Sequence, residues 1–203
     1  VLPIPSKSSV SKAIQQQLRA WETAIEEPLK ALRSNRGGEF LAGSLREFLS
    51  VCCVQQQLTP AYTPQHNGRA ERLNRTLVEC VRAMLLDAGL PVWLWGEAVQ
   101  AAAYLRNLSP TSTKPATPSQ LFSGKQPSIK WLRVFGCRAY VLQPKHLRDS
   151  KLGPVSTPGT LVGYDSNSKA YRVLLQGTKN VVSSRDVVCW EQERPGLRAQ
   201  ALG

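Results

Sequence analysis

Apolar residues change their spacing once along this chain. As far as Asn107 they recur every three or four residues, and from Trp131 onward they alternate in short runs. The first period belongs to helices packed by one face, and the second to strands. Between them runs "LSPTSTKPATPSQLFSGKQPS", rich in Ser, Thr and Pro, which reads as a linker with at most one short turn of helix. The expected organisation is an α/β segment over residues 1–108, a linker over 109–130, a small β-barrel over 131–193 and a flexible tail over 194–203.

Within the first segment, Val10, Ile14, Leu18 and Trp21 fall on one helical face, with Ser8 or Ser9 as N-cap. "PLKALRS" is short and extended. "GGEFLAGSLREFLSVC" repeats apolar residues at Phe40, Leu41, Leu45, Phe48 and Leu49, predicting one helix opened by glycines. "VCCVQQQLT" predicts another strand, and "PAYTPQHNG" a loop. A long helix is predicted from Arg69 to Asp87, burying Leu73, Leu77, Val81, Met84 and Leu85 and turning Glu71, Arg75 and Arg82 to solvent. Gly89 and Pro91 stop it. The next helix, Val92 to Asn107, turns Leu94, Ala98, Ala101 and Leu105 inward. Two or three strands are few for an open sheet, so further strands are expected before Val1. The second segment offers "RVFGCRAYVLQ", "GTLVGYD", "KAYRVLLQ" and "NVVSSRDVVCW" as strands, and the chain past Trp190 is expected to fray.

The net charge of +12 is shared evenly: 15 basic and 9 acidic residues precede position 131, and 11 and 5 follow. A basic surface attracts polyanions, nucleic acid first among them, although a soluble basic protein without such a partner has the same composition. No C-x-x-C pair exists and the two histidines, His66 and His146, lie far apart, so no zinc site is expected. The five cysteines all sit in apolar runs and read as reduced core residues. No apolar stretch is long enough to span a membrane. The start has no signal-peptide pattern, and the only methionine is Met84, so a piece cut from a longer product is expected.

Two segments carry chemistry. "RSNRGGEF" and "NGRAERLNR" place Asn35 and Glu71 at the ends of a 35-residue interval. Phosphodiester transfer needs an activated nucleophile, a stabilised phosphorane and a neutralised leaving oxygen. Two Mg²⁺ ions held by carboxylates supply all three. "LRSNRGGEF", "YTPQHNGRAERLNRTLVECVRAML", "WLWGEAVQAAAYLRNLSPT" and "LRVFGCRAYV" together resemble the integrase region of Ty1/copia-type retrotransposon polyproteins. "GTLVGYDSNSKAYRVL" with "VVSSRDVVCWE" resembles the SH3-like domain that follows that core. The resemblance runs from about Ser6 to Glu193.

It implies a partial RNase H-like core, an α/β/α layer fold with a helical extension, and then the SH3-like barrel. It implies DNA integration with Mg²⁺ as cofactor, DNA ends and target DNA as partners, a nuclear and intracellular location and no membrane, and leaves a homo-oligomer open. Glu71 matches the third acidic position of the family, and Asn35 stands where the second Asp belongs. The first Asp would lie upstream of Val1. With one carboxylate at Glu71 and a neutral amide at Asn35, the expected metal site is weak and incomplete, and catalysis is expected to be lost. Glu39, a helical turn further on, does not replace the missing acid. By the same resemblance Tyr62, Gln65 and Asn67 are candidate DNA contacts before the acidic helix, and Arg69, Arg72 and Arg75 candidate phosphate contacts.

Each signal has a plainer reading. Glu71 can pair with Arg75 at i, i+4. Asn35 can be a turn residue, and the arginines an ordinary solvated face. His66 reads as exposed, and Trp93, Trp95 and Trp131 as packing residues. Three functional expectations stand side by side: an inactive remnant, a nucleic-acid-binding or assembly module reused by its host, and an enzyme completed by another chain.

Overall fold

The structure is a computed structural model describing residue 4 and residues 6–60, 68–111, 115–144, 146, 148, 150, 152–165 and 168–196. Two compact units divide the chain between Thr76 and Leu77.

In the unit ending at Thr76, a 3₁₀ turn at Lys7–Ser9 opens helix α1 (Val10–Ile25). Ser9 occupies the N-cap position, but its side chain makes no capping bond. Strand β1 (Ala31–Ser34) and strand β2 (Gln55–Leu58) pair in parallel, Ala31 opposite Gln55 and Ser34 opposite Leu58. Parallel strands need a crossover, and helices α2 (Gly38–Leu41) and α3 (Gly43–Val51) provide it. The core is Leu18, Leu45, Leu49 and Val54, with Ile14, Leu32, Phe40 and Phe48 packed around it. Arg19 lies over the Phe48 ring at 5.2 Å. Ser11 and Ser44 share a hydroxyl hydrogen bond of 3.0 Å across the helix pair.

Two expectations fail in this unit. The helix predicted over the Phe40–Leu49 run breaks at Ala42, whose ψ of 134° is extended. The cause is long-range: Gln56 Nε2 donates to the Phe40 carbonyl at 2.8 Å, so that oxygen no longer needs an amide four residues on. Trp21, expected on the buried face of α1, is 45% exposed, because the packing of that face into the core stops at Leu18.

Helix α4 (Gly68–Ala88) begins in this unit and ends in the next. Leu77 and Leu85 are buried as expected, but Leu73 is 44% exposed. Gly89, at φ 62°, ends the helix. A 3₁₀ turn at Val92–Leu94 leads into α5 (Trp95–Leu108), which buries Ala98, Ala101 and Ala102. The linker, expected to hold at most one short turn of helix, holds the longer six-residue α6 (Pro118–Ser123), capped by Thr117, whose Oγ1 accepts from Gln120 N–H at 3.1 Å.

Strands β3 (Arg138–Leu142), β4 (Ser156–Tyr164), β5 (Tyr171–Leu175), β6 (Val181–Ser184) and β7 (Val187–Trp190) form one antiparallel sheet in the order β6-β5-β4-β3-β7. The last predicted strand is thus two. Asp186 N–H donates to Ser184 Oγ at 3.2 Å and Val187 N–H to the Arg185 carbonyl at 3.1 Å, turning the chain between them. This turn forces the sheet to curl. Laid flat, β6 and β7 would lie about 19 Å apart at the usual strand spacing. Two intervening residues reach only about 10 Å. The sheet is therefore rolled into a small barrel.

Strand β4 faces two cores. Leu161 joins Cys137, Ala139 and Val173 inside the barrel. Val162 points the other way, against Leu85, Ala88, Leu94 and Ala98 of the helical layer. That double burial explains why Gly159 to Tyr164 is buried without a break. Gly136, at φ +80°, sits so close to Ala88 that a Cβ there would overlap its side chain. The chain beyond Trp190, expected to fray, is held through Gly196: Arg138 pairs with Glu193 at 3.4 Å and Arg194 with Asp87 at 2.8 Å.

Candidate functional site

The end of β1 carries the first candidate. Strand pairing continues past Ser34, whose carbonyl accepts from Thr59 N–H at 3.0 Å. Asn35 follows, exposed, and its Oδ1 accepts from Gly37 N–H at 3.1 Å. This is an Asx turn, the plainer role open to a short polar side chain. The same oxygen is the only atom of this side chain that could bind a metal, and it brings no charge. Arg36 Nε donates to the Thr59 carbonyl at 3.2 Å and ties the ends of β1 and β2 together. Glu39 lies in the first turn of α2, its carboxylate folded back over Gly37. A carboxylate is favoured there by the helix dipole.

Glu71 lies in the first turn of α4 and is exposed. The i, i+4 pair with Arg75 does not form among the described residues, where the ion pairs are Arg138–Glu193, Arg172–Glu97 and Arg194–Asp87. Every residue from Arg69 to Arg75 is exposed, so the start of α4 offers three solvated guanidinium groups beside one carboxylate. Tyr62, Gln65, His66 and Asn67 lie outside the described residues. Among the described residues, no three His, Cys, Asp or Glu side chains gather as a metal-binding group, and no helix is long and apolar enough to cross a membrane.

Ser34 escaped the reading of the sequence. Its hydroxyl is buried and has no hydrogen-bond partner. The alternation of β1 could have placed the side chain inward, but nothing local could show that it lacks a partner. The tryptophans divide. Trp131 packs edge-on against Tyr104 and Tyr164 at 5.5 and 5.2 Å, as expected. Trp93 and Trp95 are 46% and 54% exposed, because the core of this helical layer takes up Leu94 and Ala98 instead. The cysteines also divide: Cys137 is buried and Cys52 and Cys189 half-buried, but Cys53 and Cys80 are exposed. Cys53 stands at φ 55° in the turn after α3.

The rolled five-stranded meander, with a helical layer on β4, defines a chain built around an SH3-like barrel. Residues 137–200 match the retroviral polymerase SH3-like domain family. Over 94% of its length the chain is 41% identical to the retrovirus-related Pol polyprotein from transposon TNT 1-94 of Nicotiana tabacum. It is 32% identical over 91% of its length to that of transposon RE2 of Arabidopsis thaliana, and 32% identical over 77% to the transposon Ty1-DR6 Gag-Pol polyprotein of Saccharomyces cerevisiae. The chain belongs with the copia-type retrotransposon Pol polyproteins, as a region of one. It spans 14%, 13% and 9% of the lengths of these three relatives. A chain of a solved simian T-cell lymphotropic virus intasome, in complex with PP2A regulatory subunit B56 gamma, aligns with 88% of this chain and 64% of its own at 15% identity and a TM-score of 0.46.

Proposed function

We propose that this chain is the integrase region of a copia-type polyprotein that holds nucleic acid without processing it. Residues 1–108 then derive from an RNase H-like core and its extension, and DNA in the nucleus is the partner. The observation that carries the reading is the state of Asn35. It is a neutral amide where two paired Mg²⁺ ions would need an anionic oxygen, and it serves a local turn, its Oδ1 accepting from Gly37 N–H. Of Asn35 and Glu71 only Glu71 is anionic, whereas paired Mg²⁺ ions require carboxylate oxygens from both positions. Asn35 and Glu71 therefore do not fit the family's metal site. The exposed Arg69, Arg72 and Arg75 and the net charge of +12 instead suit phosphate binding.

A titration of the folded chain with duplex oligonucleotide over a range of salt tests this. Affinity should fall steeply as salt rises. Replacing Arg69, Arg72 and Arg75 together by Glu should weaken binding at every sequence alike. It should also flatten the salt dependence by about 0.9 in log–log slope for each phosphate left without its arginine. Salt-independent binding, or none, counts against the proposal.

A further inference from the structure

The barrel interior contains two cysteines that the nucleic-acid reading does not use. Register pairs Ala139 of β3 with Cys189 of β7, and Val141 with Val187. Cys137 directly precedes β3, the ladder to β4 continues through it (its carbonyl accepts from Leu161 N–H at 2.9 Å), and it lies on the same interior side as Ala139 and Cys189. Cys137 and Cys189 are diagonal neighbours across the strand pair, and both pack into the cluster of Ala139, Leu161 and Val173. The other three cysteines lie elsewhere: Cys52 and Cys53 follow α3, and Cys80 is on the solvent side of α4.

We propose that Cys137 and Cys189 form an oxidisable dithiol that closes to an intrachain disulfide on reaction with a peroxide or a small-molecule disulfide. The two residues are not equivalent. Cys137 is fully buried, so no reagent reaches it first, while Cys189 is half-buried at the rim of the core. The neighbouring Cys137 thiol lowers the pKa of Cys189, burial opposes it, and Arg133 lowers it further, so Cys189 is the stronger acid. The adjoining Cys189 thiol, together with burial, holds the Cys137 thiol up. Cys189 is thus the attacking thiolate and Cys137 the resolving thiol.

With a peroxide, the Cys189 sulfur attacks one oxygen and the O–O bond breaks. A sulfenic acid forms and the other oxygen leaves as water after protonation. Cys137 then attacks the sulfenic sulfur. The S–S bond forms, the S–O bond breaks, and the hydroxide leaves as a second water with the Cys137 proton. Two thiols are oxidised and one peroxide is reduced to two waters. The crosslink joins the residue just before β3, which lies between β4 and β7, to the end strand β7. It should therefore raise the thermal midpoint of the oxidised chain, which reductant reverses.

The test uses the whole reduced chain, exposed to hydrogen peroxide and, separately, to glutathione disulfide. It is then unfolded in an alkylating reagent and mapped by peptide mass. Among the five cysteines, the expected product is a peptide linking Cys137 to Cys189 that reductant releases. Cys80→Ser should still give it, and Cys189→Ser should leave Cys137 as a free thiol under the same oxidant. The mapping on the unsubstituted chain decides even where a variant fails to fold. Oxidised protein in which both residues remain free thiols overturns the proposal. So does a sulfenic or sulfinic acid at Cys189 beside an unreacted Cys137.

Discussion

Arg172 of β5 grips Glu97 of α5 with two prongs, its Nε 2.5 Å from Oε2 and its Nη2 2.6 Å from Oε1. The side chains are 28% and 17% exposed, and the carboxylate lies in the first turn of its helix, where the dipole also favours it. Hydrogen bonding to Glu97 raises the pKa of Arg172, so the guanidinium stays charged throughout the accessible pH range. The pair joins the helical layer to the barrel, 75 residues apart in sequence. Glu97→Ala should destabilise the unit by about 1–3 kcal/mol, because it strands a partly buried charge. In a double-mutant cycle with Arg172→Ala, urea unfolding should give a coupling of about 1–2 kcal/mol. Additive effects would mean that α5 and β5 are not joined in solution.

Tyr164 anchors the same region. Its hydroxyl donates to the Arg133 carbonyl at 2.7 Å and accepts from the Arg133 N–H at 3.0 Å. Burial pushes its pKa up from 10.0 to about 12. The folded protein therefore keeps a proton that the unfolded chain loses in that window. Stability should be full below pH 10 and fall as pH rises through 12, by about 2–3 kcal/mol for this group. Burial also raises Tyr104 and Tyr171, which add to the same decline. In Tyr164→Phe the alkaline decline should be shallower, at a cost of about 1–2 kcal/mol near neutrality for the missing hydrogen bonds. Urea titrations from neutral to alkaline pH measure both effects.

The unit before Leu77 carries a small internal cost. Ser34 Oγ is buried without a partner, and removing such a hydroxyl relieves its desolvation penalty. Ser34→Ala should raise unfolding free energy by about 1 kcal/mol. A loss of similar size in denaturant titration would reveal a bond that the hydroxyl makes in solution.

The parts of the fold legible in sequence were those decided by neighbours. Helices α4 and α5 announced themselves by apolar spacing and by the stop at Gly89 and Pro91, and β1 and β2 by the short extended stretches "PLKALRS" and "VCCVQQQLT". What escaped was decided at a distance. The break at Ala42 depends on Gln56 reaching the Phe40 carbonyl, and the split of β6 from β7 on both edges of a rolled sheet being met by one chain. The exposure of Trp93 and Trp95 depends on which side of the turn the helical layer uses. The acidic position was visible only through the resemblance. An exposed Asn before two glycines and an exposed Glu opening a helix have ordinary reasons to be where they are.

Whether the chain performs chemistry is settled most directly by incubating purified protein with Mg²⁺ and labelled oligonucleotide ends plus target duplex, and resolving the products by length. The predicted result for the natural chain is bound but unaltered DNA, with no cleaved or joined strands. Magnesium-dependent cleavage or joining that disappears in Glu71→Gln would contradict it.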